Sequence, residues 1–296
     1  MKGNSLKYFD TASTTKVDER VLAEMLPYFN EFFGNASSNH SYGTKAKDAI
    51  DKARIQVSNI INCDSKDITF TSGATESINF GIKGYIEANP EKGNHIITLK
   101  TEHKAVLATC EYLETKGYEV TYLGVNENGL ICLEELSNSI TEKTTLICVM
   151  YVNNEIGVIQ PIKEIGRISR DNNVAFLCDA TQAVGKIVVD VEEDNIDILC
   201  FSGHKLNGPK GIGVLYKKSN IVLTALIHGG GQENSLRGGT YNTPLIVGIG
   251  KACEIALNEF ESNMCALLKR RAELQEYFEA NGTGLVNFKD VSTAPH

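Results

Sequence analysis

The chain has 296 residues, 42% of them hydrophobic and 22% charged, with 29 Lys and Arg against 37 Asp and Glu for a formal charge of −8. That length allows one large or two modest domains with a real core, and the acidic balance argues against direct nucleic-acid binding, which wants a basic surface. No apolar signal-like stretch opens the sequence, and the longest apolar run, LICVMYV (146–152), is too short to span a bilayer.

The eight Cys form no CxxC pair, and Cys148, Cys178 and Cys200 sit inside apolar, strand-like runs. Buried, reduced thiols in a cytoplasmic chain are the expectation, with neither disulfides nor a metal site.

In chain order, residues 17–62 read as two helices around a polar loop, GNASSNHSYG. Strand-like runs follow at DITFT (67–71), HIITLK (95–100), YEVTYL (118–123), TTLICVMYV (144–152), VAFLCD (174–179), DILCFS (197–202) and GVLYK (213–217). The stretches ATESINFGIKGYIEAN, KAVLATCEYLETKG, LEELSNSI and IKEIGRISRDNN lie between them with helical apolar spacing, and 243–281 is helical almost throughout. This alternation predicts a largely parallel sheet covered by helices, with ligands at the carboxyl ends of its strands.

Those ends are chemically loaded. After DITFT, SGATES brings Gly73, Ala74 and Thr75 into a helix start, which reads either as a phosphate-binding turn or as a plain cap. His103 follows HIITLK, and Asn153 and Asn154 follow the fourth strand, where Asx-turn chemistry explains one of the two. Asp179 ends an apolar strand, as a partly desolvated acid in need of a partner or as a helix cap, with Gln182 just beyond. One strand later FSGHKLNGPKGIG carries Ser202, His204 and Lys205.

Pyridoxal 5'-phosphate asks for this set together: a Lys for a Schiff base, an acid for its ring nitrogen, donors for its phosphate and a flat group over the ring. A free Lys amine titrates near pH ~10.4, so a reactive one must be desolvated or set near other positive charge. GPKGIG is not a dinucleotide fingerprint, HGGG (228–231) has no accompanying G-x-S-x-G, and neither a Walker motif nor HExxH is present.

The segments YFDTASTT (8–15), FGNASSNHSYG (33–43), TSGATESIN (71–79), TEHKAVLATC (101–110), VNNEIGVIQPI (152–162), DATQAVGKI (179–187), SGHKLNGPKGIGVLY (202–216) and GGGQENSLRGGTYN (229–242) follow one another in the order of a known family. In them the chain resembles the cysteine desulfurases of the class V aminotransferase group, which are fold-type I pyridoxal phosphate enzymes. The resemblance implies an α/β fold with a mostly parallel seven-stranded sheet covered by helices. It also implies a large cofactor domain with an N-terminal arm over 1–242, and the start of a smaller, incomplete domain over 243–296.

The same resemblance makes Lys205 the cofactor-bearing catalytic residue and Asp179 the partner of the ring nitrogen. His103 would stack on the ring and assist proton transfer. Gln182 and Asn154 would face the phenolic oxygen, and Asn154 also the substrate. Ala74, Thr75, Ser202 and His204 would hold the phosphate, with Thr240 reaching the partner subunit's phosphate across a homodimer interface. Asn35, Ser37 and His40 fall in the segment lining the substrate entrance.

The implied reaction takes sulfur from L-cysteine, leaving L-alanine. A nucleophilic Cys receives the sulfur as a persulfide and passes it to an acceptor such as an iron–sulfur scaffold or a thiolation enzyme. Thr11 and Ala36 stand where the family commonly has Asn and Pro. The family's Cys-bearing loop and its carboxylate-binding Arg belong to a further C-terminal segment that FKDVSTAPH does not reach, and none of the eight Cys lies in such a loop. Cys110 and Cys178 fit packing roles. The alternatives are another lyase of the group, such as one acting on selenocysteine, and a cofactor-binding paralogue without sulfur transfer.

Overall fold

A computed structural model describes residues 7–282. Seven strands form one sheet: β1 (Ile68–Thr71), β2 (His95–Leu99), β3 (Glu119–Leu123), β4 (Thr144–Met150), β5 (Ala175–Asp179), β6 (Ile198–Ser202) and β7 (Gly213–Lys217). Their order across the sheet is β1-β7-β6-β5-β4-β2-β3. The pairs β6–β5, β5–β4, β4–β2 and β2–β3 are parallel, whereas β7 runs antiparallel to both its neighbours, β1 and β6. All strands except β7 therefore end at one edge of the sheet, and β7 begins there.

The expected mostly parallel sheet is present, with β7 as its exception for a simple reason. Parallel neighbours need a crossover of a dozen or more residues, and only residues 203–212 separate β6 from β7. β4 stops at Met150, before the Tyr151–Val152 end of its apolar run: Tyr151 N–H makes the last rung to β5, at the Asp179 carbonyl 2.9 Å away, β5 ends there, and Val152 bridges to Ile159 instead.

The strand residues divide between two cores with period two. In β5 and β6, Phe176, Cys178, Leu199 and Phe201 face one layer, while Ala175, Leu177, Ile198 and Cys200 face the other. The first layer holds the buried sides of α1 (Glu19–Met25), α3 (Ser41–Ile60), α7 (Ile162–Asp171) and α8 (Thr243–Asn258). The second holds α4 (Ala74–Ala88) and α5 (Lys104–Glu114). With helices on both faces the inner strands are buried throughout, which is why they read as continuous apolar runs; only the edge strand β3 is largely uncovered.

The region expected to hold two helices holds three, because Pro27 opens a short α2 (Pro27–Asn30) directly after α1. A seven-residue α6 (Leu133–Ser139) lies between β3 and β4. The division expected after residue 242 falls at the N-cap of α8, whose Ile246, Ile249 and Cys253 are buried in the first core. The following α9 (Phe260–Ala280) buries no residue. Among the described residues no helix is long and apolar enough to cross a membrane.

Candidate active site

At the carboxyl edge of the sheet lies an open cavity of about 720 Å³, within the range of roughly 300–1,000 Å³ usual for small-molecule sites. Ala74, Thr75, His103, Asn154, Asp179, Gln182, Ser202, His204 and Lys205 all line it. They come from the ends of β1, β2, β4, β5 and β6, so the sheet brings together residues that lie as far apart in sequence as Ala74 and Lys205.

Lys205 ends a tight turn just after β6. Its Nζ donates to the carbonyls of Ala12 and Ser13, the latter at 2.8 Å. Burial lowers its pKa below the ordinary lysine value, against the opposing pull of Asp10, Asp179 and Glu155. No carboxylate forms a close ion pair with it among the described residues. A partly desolvated, unpaired amine is the state in which lysine becomes nucleophilic.

Asp179, the last residue of β5, is buried. Its Oδ1 accepts from Thr181 N–H at 3.0 Å. Burial raises its pKa, while the Thr181 hydrogen bond and the positive fields of His103 and Lys205 work the other way. A cation placed against this carboxyl group would favour its ionised form. Behind it Glu102 is buried as well, its Oε1 accepting from Met150 N–H at 2.8 Å; burial chiefly, and the Asp179 charge in addition, push its pKa well up.

His103 caps α5, its Nδ1 accepting from Ala105 N–H at 3.1 Å. In the neutral ring the proton therefore sits on Nε2. Of the two asparagines, Asn153 is the buried Asx-turn residue, bonding Thr101, Glu155 and Ile156, while Asn154 borders the cavity. Ser202 donates to the Ile212 carbonyl at 3.2 Å, and His204 Nδ1 meets Thr14 Oγ1 at 3.1 Å.

The N-terminus of α4 borders the same cavity through Gly73, Ala74 and Thr75, and its N-cap, Gly73, supplies no side-chain acceptor. The first-turn N–H groups and the positive end of the helix dipole are thus left for an anion. Gly213 shapes this corner: a Cβ there would come within 2.5 Å of Gly73, so only glycine lets β7 start against the turn. Thr181 Oγ1 is a buried cavity-wall hydroxyl without a hydrogen-bond partner among the described residues.

A phosphate-bearing pyridine aldehyde fits this set. The bare helix end suits the phosphate, the amine suits the aldehyde, the buried acid suits a cationic ring nitrogen, and the orphaned Thr181 hydroxyl and Gln182 amide suit its remaining polar atoms.

Asn35 and Thr240 lie apart from this cavity and together border a smaller one of about 140 Å³. The Asn35 side chain accepts from Ser37 N–H at 2.9 Å, and His40 caps α3. Sequence reasoning missed the N-terminal arm as cavity wall, where Asp10, Ala12, Ser13 and Thr14 lie beside Lys205; two of their contributions are backbone carbonyls, which leave no side-chain signal. Thr181 and Ser72 were missed too, although each adjoins a residue read as part of the site.

None of the eight Cys, all within the described residues, lines the cavity. Cys110 and Cys178 are buried in the two cores, and burial raises both thiols, Cys110 to about 12. Among the described residues no group of three or more His, Cys, Asp or Glu is placed to hold a metal ion.

The aminotransferase class-V family model matches residues 7–288. The chain belongs to that family, whose members depend on pyridoxal phosphate. Among curated proteins it is 52% identical over 257 residues to the cysteine desulfurase IscS of Ehrlichia chaffeensis, covering 86% of this chain and 63% of that protein. It is 54% identical over 267 residues to the IscS of Neisseria meningitidis serogroup C, covering 89% and 66%. The chain thus spans less than two thirds of the length of these relatives.

Among solved structures, a NifS-like protein superposes with a TM-score of 0.92 at 40% identity, covering 97% of this chain and 79% of that one. SspA, solved in complex with cysteine, superposes with a TM-score of 0.82 at 45% identity, covering 84% and 72%.

Proposed function

We propose that the chain acts as a pyridoxal phosphate-dependent cysteine desulfurase. It would take the sulfur of L-cysteine onto a thiol as a persulfide and release L-alanine. The observation that carries this reading is the meeting of Lys205, Asp179, His103 and the uncapped start of α4 around one cavity.

When bound, pyridoxal phosphate supplies an electron sink that makes a substrate Cα–H acidic. The chain's residues take complementary parts. Lys205 would hold the cofactor and would move a proton at the substrate α-carbon, a task suited to its lowered pKa. Asp179 would hold the proton of the ring nitrogen. His103 would stack on the ring, with its Nε2 available for proton transfer. Gln182 and Asn154 would face the phenolic oxygen, with Asn154 also toward the substrate. Ala74 and Thr75 would offer backbone N–H groups to the phosphate, joined by His204 and, once its hydroxyl turns from the Ile212 carbonyl, by Ser202.

Thr240 and Asn35, outside this cavity within one chain, fit the reading through a homodimer, in which Thr240 would serve the partner subunit's phosphate and Asn35 the substrate entrance. The sulfur would pass to an acceptor protein such as an iron–sulfur scaffold or a thiolation enzyme. The SspA structure with cysteine supports the substrate. Action in the cytoplasm is part of the same reading.

A second reading has one observation in its favour. Since no Cys of this chain borders the cavity, the chain would hold the cofactor without completing sulfur transfer itself. Purified protein loaded with pyridoxal phosphate and given L-cysteine separates the two. Alanine together with protein-bound persulfide supports the desulfurase, whereas cofactor binding with neither product supports the second reading. A strong preference for L-selenocysteine over L-cysteine would replace the substrate, and failure to bind the cofactor would overturn both.

A further inference from the structure

Beyond the cavity wall, residues 180–187 form a tight turn with a helical pattern: Val184 and Ile187 N–H groups bond the carbonyls of Ala180 and Ala183 at 3.0 Å. Gln182 and Lys186 are thus four residues apart on one side of a turn. Gly185 adopts φ +79°, where a side chain is strained, and an added Cβ would lie 3.2 Å from that of Ala256. Glycine is what lets the chain swing Lys186 back over Gln182.

Lys186 is partly buried, and its Nζ donates to Gln182 Oε1. No carboxylate among the described residues pairs with it. Gln182 is buried, and its Nε2 donates to the Ala12 carbonyl at 2.9 Å, the same oxygen that accepts from Lys205.

This arrangement decides which way a glutamine points. A primary amide can turn over, exchanging its acceptor for its donors. An ammonium group has three donors and no acceptor, so it tolerates only the amide oxygen. With Oε1 held by Lys186, the NH₂ group must face the arm and the cavity. A reversed amide would present an oxygen to any anionic ligand atom there.

We propose that Lys186 is a positioning residue that fixes the Gln182 amide with its NH₂ toward the cavity, where it donates to the phenolic oxygen of a pyridoxal-type cofactor. The inference rests on the cofactor reading given above. Lys186 does not border the cavity and acts only through Gln182.

The test is a cycle of pyridoxal phosphate dissociation constants, read by absorbance on the full chain: unaltered, Lys186→Met, Gln182→Leu and both together. Lys186→Met and Gln182→Leu are each expected to weaken binding about tenfold, and the double variant no further than Gln182→Leu alone. Lys186→Arg, which keeps the donors, should recover most of the loss. Gln182→Glu keeps an acceptor for Lys186 but removes the cavity donor. It should weaken binding at least tenfold without lowering the urea midpoint, and it carries the test if Lys186→Met does not fold.

Independent, multiplying losses in the double variant would overturn the proposal while leaving the cofactor reading intact. So would undiminished binding by Lys186→Met or Gln182→Glu. An unaltered chain that binds no pyridoxal phosphate overturns the cofactor reading, and this inference with it.

Discussion

Two glycine-rich loops flank the sheet edge and treat their cations in opposite ways. In the loop 202–213, neutral hydrogen bonds hold the backbone. Thr15 donates from both N and Oγ1 to the His204 carbonyl at 2.9 Å, and Thr15 Oγ1 in turn accepts from Asn207 N–H at 2.9 Å. Lys205, one of its two lysines, is left without a carboxylate partner among the described residues. In the loop 228–242 the anchors are ion pairs. Arg54 meets Glu233 at 2.9 Å, with both side chains largely buried, and Arg237 meets Glu76 at 2.9 Å. Burial works against the charge of Arg54, and Glu233 more than restores it, whereas Lys205 has two carbonyl acceptors and the fields of Asp10, Asp179 and Glu155, which together leave its pKa lowered.

The second loop also has a strained backbone, with Glu233, Asn234 and Ser235 at φ 47°, 55° and 66°. Glu233 holds it by accepting from Arg54 and from Phe70 N–H at 3.1 Å, while its own N–H donates to Tyr241 Oη at 2.8 Å. The contrast is instructive. Paired charge makes a scaffold, and charge kept unpaired beside a cavity is what remains free to react.

The largest expected effect breaks the first loop's chemistry and leaves its structure. Lys205→Ala should abolish the absorbance of lysine-linked pyridoxal phosphate and cut alanine formation from L-cysteine by at least about 10²–10⁴-fold, the range for losing a positioned proton-transfer group. Its urea midpoint should not fall, since an unpaired, partly buried cation is removed. An unchanged spectrum would remove Lys205 from the site.

Next in size is Glu233→Ala, which should do the reverse. It strands Arg54 in a buried setting and takes away the acceptor for Phe70 N–H, at a cost of about 3–5 kcal/mol of unfolding free energy. Urea denaturation measures it. A loss under about 1 kcal/mol would place this pair with ordinary surface pairs.

The same contrast separates what the sequence could and could not convey. All seven strands were legible, the inner ones as nearly unbroken apolar runs and the edge strand β3 through its β-branched and aromatic residues, and the candidate site residues fell where such a sheet must place its ligands. The reversed direction of β7 is not written in GVLYK; it follows from the shortness of 203–212. Lys205 and Asp179 stood out because charge at the end of an apolar strand is anomalous. Glu233 did not, because its partner Arg54 is 179 residues away and its neighbours in QENS read as an ordinary polar turn. The Ala12 carbonyl and the Lys186–Gln182 contact were hidden for similar reasons: one is backbone, and the other needs the turn at Gly185 before spacing four becomes proximity.

Smaller again is the effect of loosening the first loop from the arm. Thr15→Ala removes one donor to His204 and the acceptor for Asn207 N–H, and should cost about 1–2 kcal/mol. Pyridoxal phosphate should also dissociate faster, because Lys205 lies between these two bonds. Val at the same position should behave like Ala, showing that the hydroxyl matters and the bulk does not. If Val retains the stability, packing is the anchor and the comparison of the loops must be redrawn.

The subtlest difference is in pH dependence. Burial first, then the nearby Lys205 charge, lowers Lys186 from its ordinary value to about 8. A depressed lysine binds fewer protons folded than unfolded between pH 8 and its ordinary 10.5, so stability rises with pH across that window and the gain is lost as pH falls through 8. Lys205 carries the same sign. The cofactor-free chain should therefore gain unfolding free energy from pH 7.5 to 9.5 relative to Lys186→Met, on the order of 1–2 kcal/mol. Arg54 contributes nothing to this difference, since its pKa is raised further above this window. Parallel stability curves for the two proteins would mean that Lys186 titrates as an exposed lysine does, and that unpaired charge at this edge of the sheet stops at Lys205.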